Sequence, residues 1–178
     1  MLECIYFFII GAFVGWLLDC VFKYVTKNFR TTPGILNTPF CILYGLGTVI
    51  LSLIINRVTN NIWLLFVLSM IVLTAMEYVT FILLKTIYGV KLWDYRGMTF
   101  SINEKICLEF SVVWGVLGAL YIKFILPILR TFFITAQSFA LTFAIYLLFA
   151  IIIGDFIYSS YILIKEKREF KVEEIDYQ

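Results

Sequence analysis

Four carboxylates stand where lipid would make them expensive. Asp19, Glu77, Glu109 and Asp155 each fall inside a long apolar stretch of this 178-residue chain. An ionisable side chain at the centre of a membrane helix costs roughly 2.5–3.5 kcal/mol on insertion scales, so such groups are functional candidates by default. Histidine is absent, which excludes imidazole acid–base chemistry and His-based metal sites. Cys4, Cys20, Cys41 and Cys107 lie in or beside apolar blocks with no Cys-x-x-Cys spacing. They read as small buried hydrophobes, not as a disulfide or zinc framework. The chemistry left to the carboxylates is proton transfer, or oxygen ligation of a hard cation. A cation bound at the acidic cluster is the one ligand expected; no other cofactor and no dedicated metal site is.

Helical spacing indicates where the acids face. Gly11, Gly15 and Asp19 are each four residues apart and share one helix face. The Gly-x-x-x-Gly pair admits a close helix neighbour, so Asp19 points into a bundle, with Lys23 one turn on. Ser69 and Leu73 precede Glu77 at the same spacing, flanked by Thr74 and Thr80, a polar stripe. Asp155 follows Gly154 and precedes Ser159 by four. Glu109 lies opposite the small stripe Ser111, Gly115 and Ala119, and reads as an interfacial charge near Lys105. Gly45 joins Gly11, Gly15, Ser111 and Gly115 as a packing position. Glu77 stands eight residues before Lys85, about 12 Å deep at 1.5 Å per residue. The expectation is a polar cavity lined by Asp19, Glu77 and Asp155; the alternative is interhelical glue. Trp93, Asp94, Tyr95 and Arg96 form an aromatic, charged loop of the kind found at the headgroup level. The sharper expectation is that this loop caps the cavity and carries Asp94 and Arg96 to the buried acids.

The elements that must position these groups are helices. The chain is 62% hydrophobic and 15% charged, against roughly 45–50% and 25% in soluble domains. The excess is concentrated in five continuous apolar blocks, near the length of about 20 residues that a spanning helix needs. The fold class expected is all-α, a polytopic membrane helical bundle over 1–164, with spans near 4–25, 39–55, 62–84, 106–126 and 139–164 and a charged tail over 165–178. Pro39 suits the first turn of the second helix, Pro33-Gly34 marks a turn before it, and Pro127 is expected to end the fourth. The 132–134 stretch extends the fifth helix or lies at the interface. Of the 14 basic residues, 11 (Lys23, Lys27, Arg30, Lys85, Lys91, Arg96, Lys105, Lys165, Lys167, Arg168, Lys171) fall on one side and Arg57, Lys123 and Arg130 on the other. Basic loops stay in the cytoplasm, so Met1 is expected outside and Gln178 inside, in the cell membrane. A weak repeat relates Asp19 and Tyr44-Gly45 to Glu77 and Trp114-Gly115. A net charge of +2 gives no reason to expect nucleic acid.

Several of these residues also carry a likeness. Gly15, Trp16 and Asp19, then Gly34, Leu36, Pro39 and Tyr44-Gly45, then Glu77-Tyr78, Trp93-Asp94-Tyr95, Ile106-Cys107-Leu108 and Ser111 follow one pattern. With these the chain resembles the bacterial ABC-transporter type IV permease family from about Gly15 to Pro127. It departs at Asp19 (usually Glu), Thr38 (glycine), Ile42 (proline), Lys85 (an acid), Ser101 (Asn) and Glu104-Lys105 (Gly-Arg). The resemblance implies a permease-like or transport-associated subunit. No Gly-x-x-x-x-Gly-Lys-[Ser/Thr] phosphate loop occurs, so ATP hydrolysis would come from a separate ATPase or other cytoplasmic partner, and five crossings suggest a homo- or hetero-oligomer in the lipid bilayer. A membrane-embedded enzyme using carboxylates on a lipid or small molecule is the second expectation, without a Gly-x-Ser-x-Gly or zinc-protease motif to support it. A non-catalytic assembly or regulatory protein is the third.

Overall fold

The computed structural model describes residues 1–26, 34–96, 98–102 and 104–176. Lys27, Arg30 and Pro33 lie outside the described residues, as do the side chains of Arg168 and Lys171. The described residues form a five-helix, all-α bundle. Helix α1 is Leu2–Thr26, α2 Ile42–Val58, α3 Ile62–Tyr88, α4 Leu108–Thr135 and α5 Phe139–Asp176. A two-residue hairpin of β1 (Ser101–Ile102) and β2 (Ile106–Cys107) interrupts the α3–α4 connection. Four of the helices are long and apolar enough to cross a membrane; α2 is a shorter apolar helix. The strongest packing is pairwise, α1 on α2 and α3 on α4.

The shortness of α2 has a physical cause. The expected start at Pro39 is not observed: the helix begins at Ile42, with Cys41 as its N-cap. Residues 34–41 instead run irregularly into the bundle, and the Cys41 amide reaches the Ala12 carbonyl (2.9 Å), near the middle of α1. Non-helical backbone at membrane depth is tolerated only inside protein with its polar groups satisfied. Leu36, Phe40 and Cys41 are buried. The Phe40 amide bonds Thr38 O at 2.7 Å, and the Thr38 amide finds the Asp155 carboxylate at 2.7 Å.

Pro127 does not end the fourth helix. The chain widens to a π-turn over Tyr121–Ile125 and continues as α-helix from Leu126 to Thr135. Pro127 then sits in the first turn of that continuation, where a missing N–H costs least. Phe132, Phe133 and Ile134 therefore belong to α4, not to α5. A second π-turn, Leu51–Ile55 in α2, faces the first: the buried hydroxyls of Ser52 and Tyr121 lie 2.9 Å apart. One end of the bundle is tied by Arg130 to Glu3 at 2.8 Å. At the other, Tyr88 meets Ser160 at 2.9 Å. Lys167 there caps the Thr86 and Ile87 carbonyls at 2.5 and 3.0 Å, as a lysine does at a helix C-terminus. Helix α5 runs on through the charged 165–176 stretch.

Candidate functional site

Asp19 and Glu77 lie at two ends of one chain of contacts. Helix α2 approaches α1 so closely at Gly15 that a Cβ there would fall 2.1 Å from Tyr44 Cγ. That approach lets the Tyr44 hydroxyl donate to Asp19 Oδ1 at 2.6 Å. The Tyr44 ring meets Trp114 of α4 edge-on, with centroids 5.7 Å apart and planes at 74°. Trp114 Nε1 donates to Glu77 Oε2 at 3.1 Å. The hydroxyl of Tyr95, from the α3–α4 connection, donates to Glu77 Oε1 at 2.7 Å. Glu77 is 4% exposed and forms no ion pair among the described residues. Asp19 is half-buried and feels the charge of Lys23 one turn away.

The loop motif works differently from its sequence expectation. Asp94 and Arg96 bond each other through side chain and backbone, and Arg96 also stands 3.7 Å from Glu104. The residue that reaches a buried acid is Tyr95, which stacks on Phe110 at 5.0 Å. Trp93 pins the loop by donating to the Lys105 carbonyl at 3.0 Å and packing on Phe81. Glu104 accepts from Lys85 at 2.6 Å and from Lys91, so two departures from the resembled family pattern, Lys85 and Glu104, are partners. Those two lysines hold the Glu104 carboxyl down at about 2. The Arg96 hydrogen bonds hold Asp94 at about 2 as well. Burial, and after it the Glu77 charge, push the Tyr95 phenol far above its ordinary range, so Tyr95 stays a donor.

Asp155 takes a separate set of partners. Its carboxylate accepts from Asn37 Nδ2 (3.0 Å), the Thr38 amide (2.7 Å), Thr38 Oγ1 (2.6 Å) and Ser159 Oγ (3.1 Å). It closes the irregular 34–41 segment and is bonded to neither Asp19 nor Glu77. Among the described residues no three acids or cysteines form a metal-binding group. Glu109 is exposed in the first turn of α4. At three of the glycine positions an added Cβ would strike a neighbour: Thr48 at 2.2 Å from Gly11, Phe8 at 2.8 Å from Gly45, Phe66 at 2.8 Å from Gly115. Ser111 bonds the Cys107 carbonyl at 3.1 Å. Asn37 and Thr38 were not among the sequence candidates; the one signal there was Thr38 in place of a usual glycine. Tyr44 stands in the sequence as an aromatic position of the weak repeat and of the family likeness, and Trp114 as an aromatic position of the repeat alone.

No curated protein and no solved structure matches the chain. The model of the family described as "Putative ABC-transporter type IV" matches residues 6–160. The chain belongs to that family, and its apolar helices make it a multi-pass, transport-associated membrane protein.

Proposed function

We propose that this member of the ABC-transporter type IV family is a permease-like subunit with a cytoplasm-facing acidic site. Met1 is outside and Gln178 inside, in the cell membrane. Glu77 is the group that exchanges a proton or a cation, and Asp19 is its partner across Tyr44 and Trp114. The supporting observation is the bonding of Glu77, a deeply buried carboxyl held by two neutral donors and, among the described residues, in no ion pair. A lone carboxylate in an apolar interior is too costly to persist, so the site takes up a proton or a cation. Energy comes from a separate ATPase docked on the 89–107 loop. Infrared difference spectra between acid and alkaline pH test the exchange. A protonated-carboxyl band that Glu77→Gln removes is expected, and a spectrum unchanged by that substitution overturns the reading. Cross-linking from Arg96→Cys in membranes tests the partner and the side: the captured subunit must hydrolyse ATP, and labelling from outside intact cells refutes the orientation.

A further inference from the structure

We propose that the groove between α3 and the 101–107 hairpin is a binding site for one anionic phospholipid. The groove has a volume of about 520 Å³ and is walled by Ile71, Ala75 and Tyr78 on one side and Ile102, Ile106 and Leu108 on the other. That is within the roughly 300–1,000 Å³ of small-molecule sites, and its lining is almost wholly apolar, which suits an acyl chain. It runs along α3 from Tyr78, near the loop end, toward the bundle's middle at Met70 and Ile71. A lipid lying there has its tail toward the membrane centre and its headgroup at the loop surface.

Charge selects the headgroup. The Lys105 ammonium stands 5.0 Å from the centroid of the Tyr78 ring, which itself walls the groove. Lys85 and Lys91 are taken by Glu104, and Arg96 by Asp94. Lys105 has no ion pair among the described residues, and Glu109, one turn on, does not bond it. A phosphate at the groove mouth supplies the missing anion. Phe100 and Ile102, 60% and 63% exposed on the connection beside the mouth, give the surrounding loop an apolar face toward lipid.

This inference does not depend on the Glu77 reading. Native mass spectrometry of the full chain, released from nanodiscs of phosphatidylglycerol mixed with phosphatidylcholine, tests it. One retained phosphatidylglycerol per chain is expected. Lys105→Gln should lower the preference for phosphatidylglycerol about fivefold, the factor one basic residue contributes near an anionic surface, while leaving the unfolding temperature unchanged. Ala75→Phe, which fills the groove, should abolish retention of either lipid. No retained lipid, retention unaffected by Ala75→Phe in a monodisperse protein, or conversion of a dimer to a monomer by Ala75→Phe without lipid loss each overturns the assignment.

Discussion

A single methyl group at Gly15 should open the contact that holds Asp19. In Gly15→Ala the new Cβ falls 2.1 Å from Tyr44 Cγ, 2.3 Å from its Cβ and 2.5 Å from its Cδ2, where ordinary contact begins near 3.4 Å. Either α2 retreats by about 1 Å or the ring leaves its rotamer, since close-packed interiors have no slack to absorb the overlap. Overpacking of this kind costs about 1–3 kcal/mol. Loss of an interhelical hydrogen bond within a membrane adds about 0.6–1.7 kcal/mol, and the helix propensity of alanine returns about 1 kcal/mol. The net expectation is a loss of about 2 kcal/mol, roughly a thirtyfold fall in the folding equilibrium. Gly154→Ala is the control, because nothing lies within 4 Å of its added Cβ and only the propensity gain remains. Unfolding in mixed micelles, followed by tryptophan fluorescence, reads both. Tyr44→Phe completes the test: it should destabilise the native chain but add almost nothing to Gly15→Ala, whose Tyr44–Asp19 bond is already gone. Equal stability of the two alanine variants, or full additivity of Tyr44→Phe on Gly15→Ala, would refute the reasoning.

Glu77→Leu strips Trp114 and Tyr95 of their acceptor and should sharply reduce folded yield in detergent, whereas Glu109→Leu at an exposed first turn should be tolerated; equal yields count against any special role for Glu77. Glu104 has its folded carboxyl depressed from 4.5 to about 2, so its contribution is complete above about pH 5 and is lost as pH falls toward 2. Protection of the 89–107 loop, taken as the exchange rate relative to the intrinsic rate at each pH, should therefore fall below pH 4 in the native chain but not further in Glu104→Gln; a loop equally protected at pH 3 and 6 contradicts this.

What was legible in the sequence followed from local rules. Five apolar blocks and the stripes at Gly11, Gly15 and Asp19 and at Ser69 and Glu77 depend only on helix period and lipid cost, and the structure keeps them. The start of α2 was not legible, because residues 34–41 can stay non-helical only with an acceptor from Asp155, more than 110 residues away. The run of α4 through Pro127 was hidden for a related reason: a π-turn at Tyr121–Ile125 has no signature in composition. In the loop, charge drew attention to Asp94 and Arg96, yet two groups two residues apart can satisfy each other locally. Tyr95, with an apolar body and one polar tip, is the side chain that can enter the bundle at low cost.

The donors on Glu77 differ in kind, and that difference bears on how the site can change state. An indole N–H only donates, whereas a phenol donates or accepts. When Glu77 is ionised both partners donate to it. When it is neutral, Trp114 can keep donating to the carbonyl oxygen, but a carboxyl O–H turned toward Tyr95 makes that phenol the acceptor and takes away the acceptor of its own O–H. At the other end the Tyr44 hydroxyl donates to Asp19, and the Tyr44 and Trp114 rings are in contact. Each hairpin thus supplies one acid on one aromatic, Asp19 on Tyr44 between α1 and α2 and Glu77 on Trp114 between α3 and α4. Each acid is therefore bonded to a ring that the other hairpin packs against. The two halves meet here through the edge-on Tyr44–Trp114 contact, while each acid–aromatic bond lies inside its own hairpin.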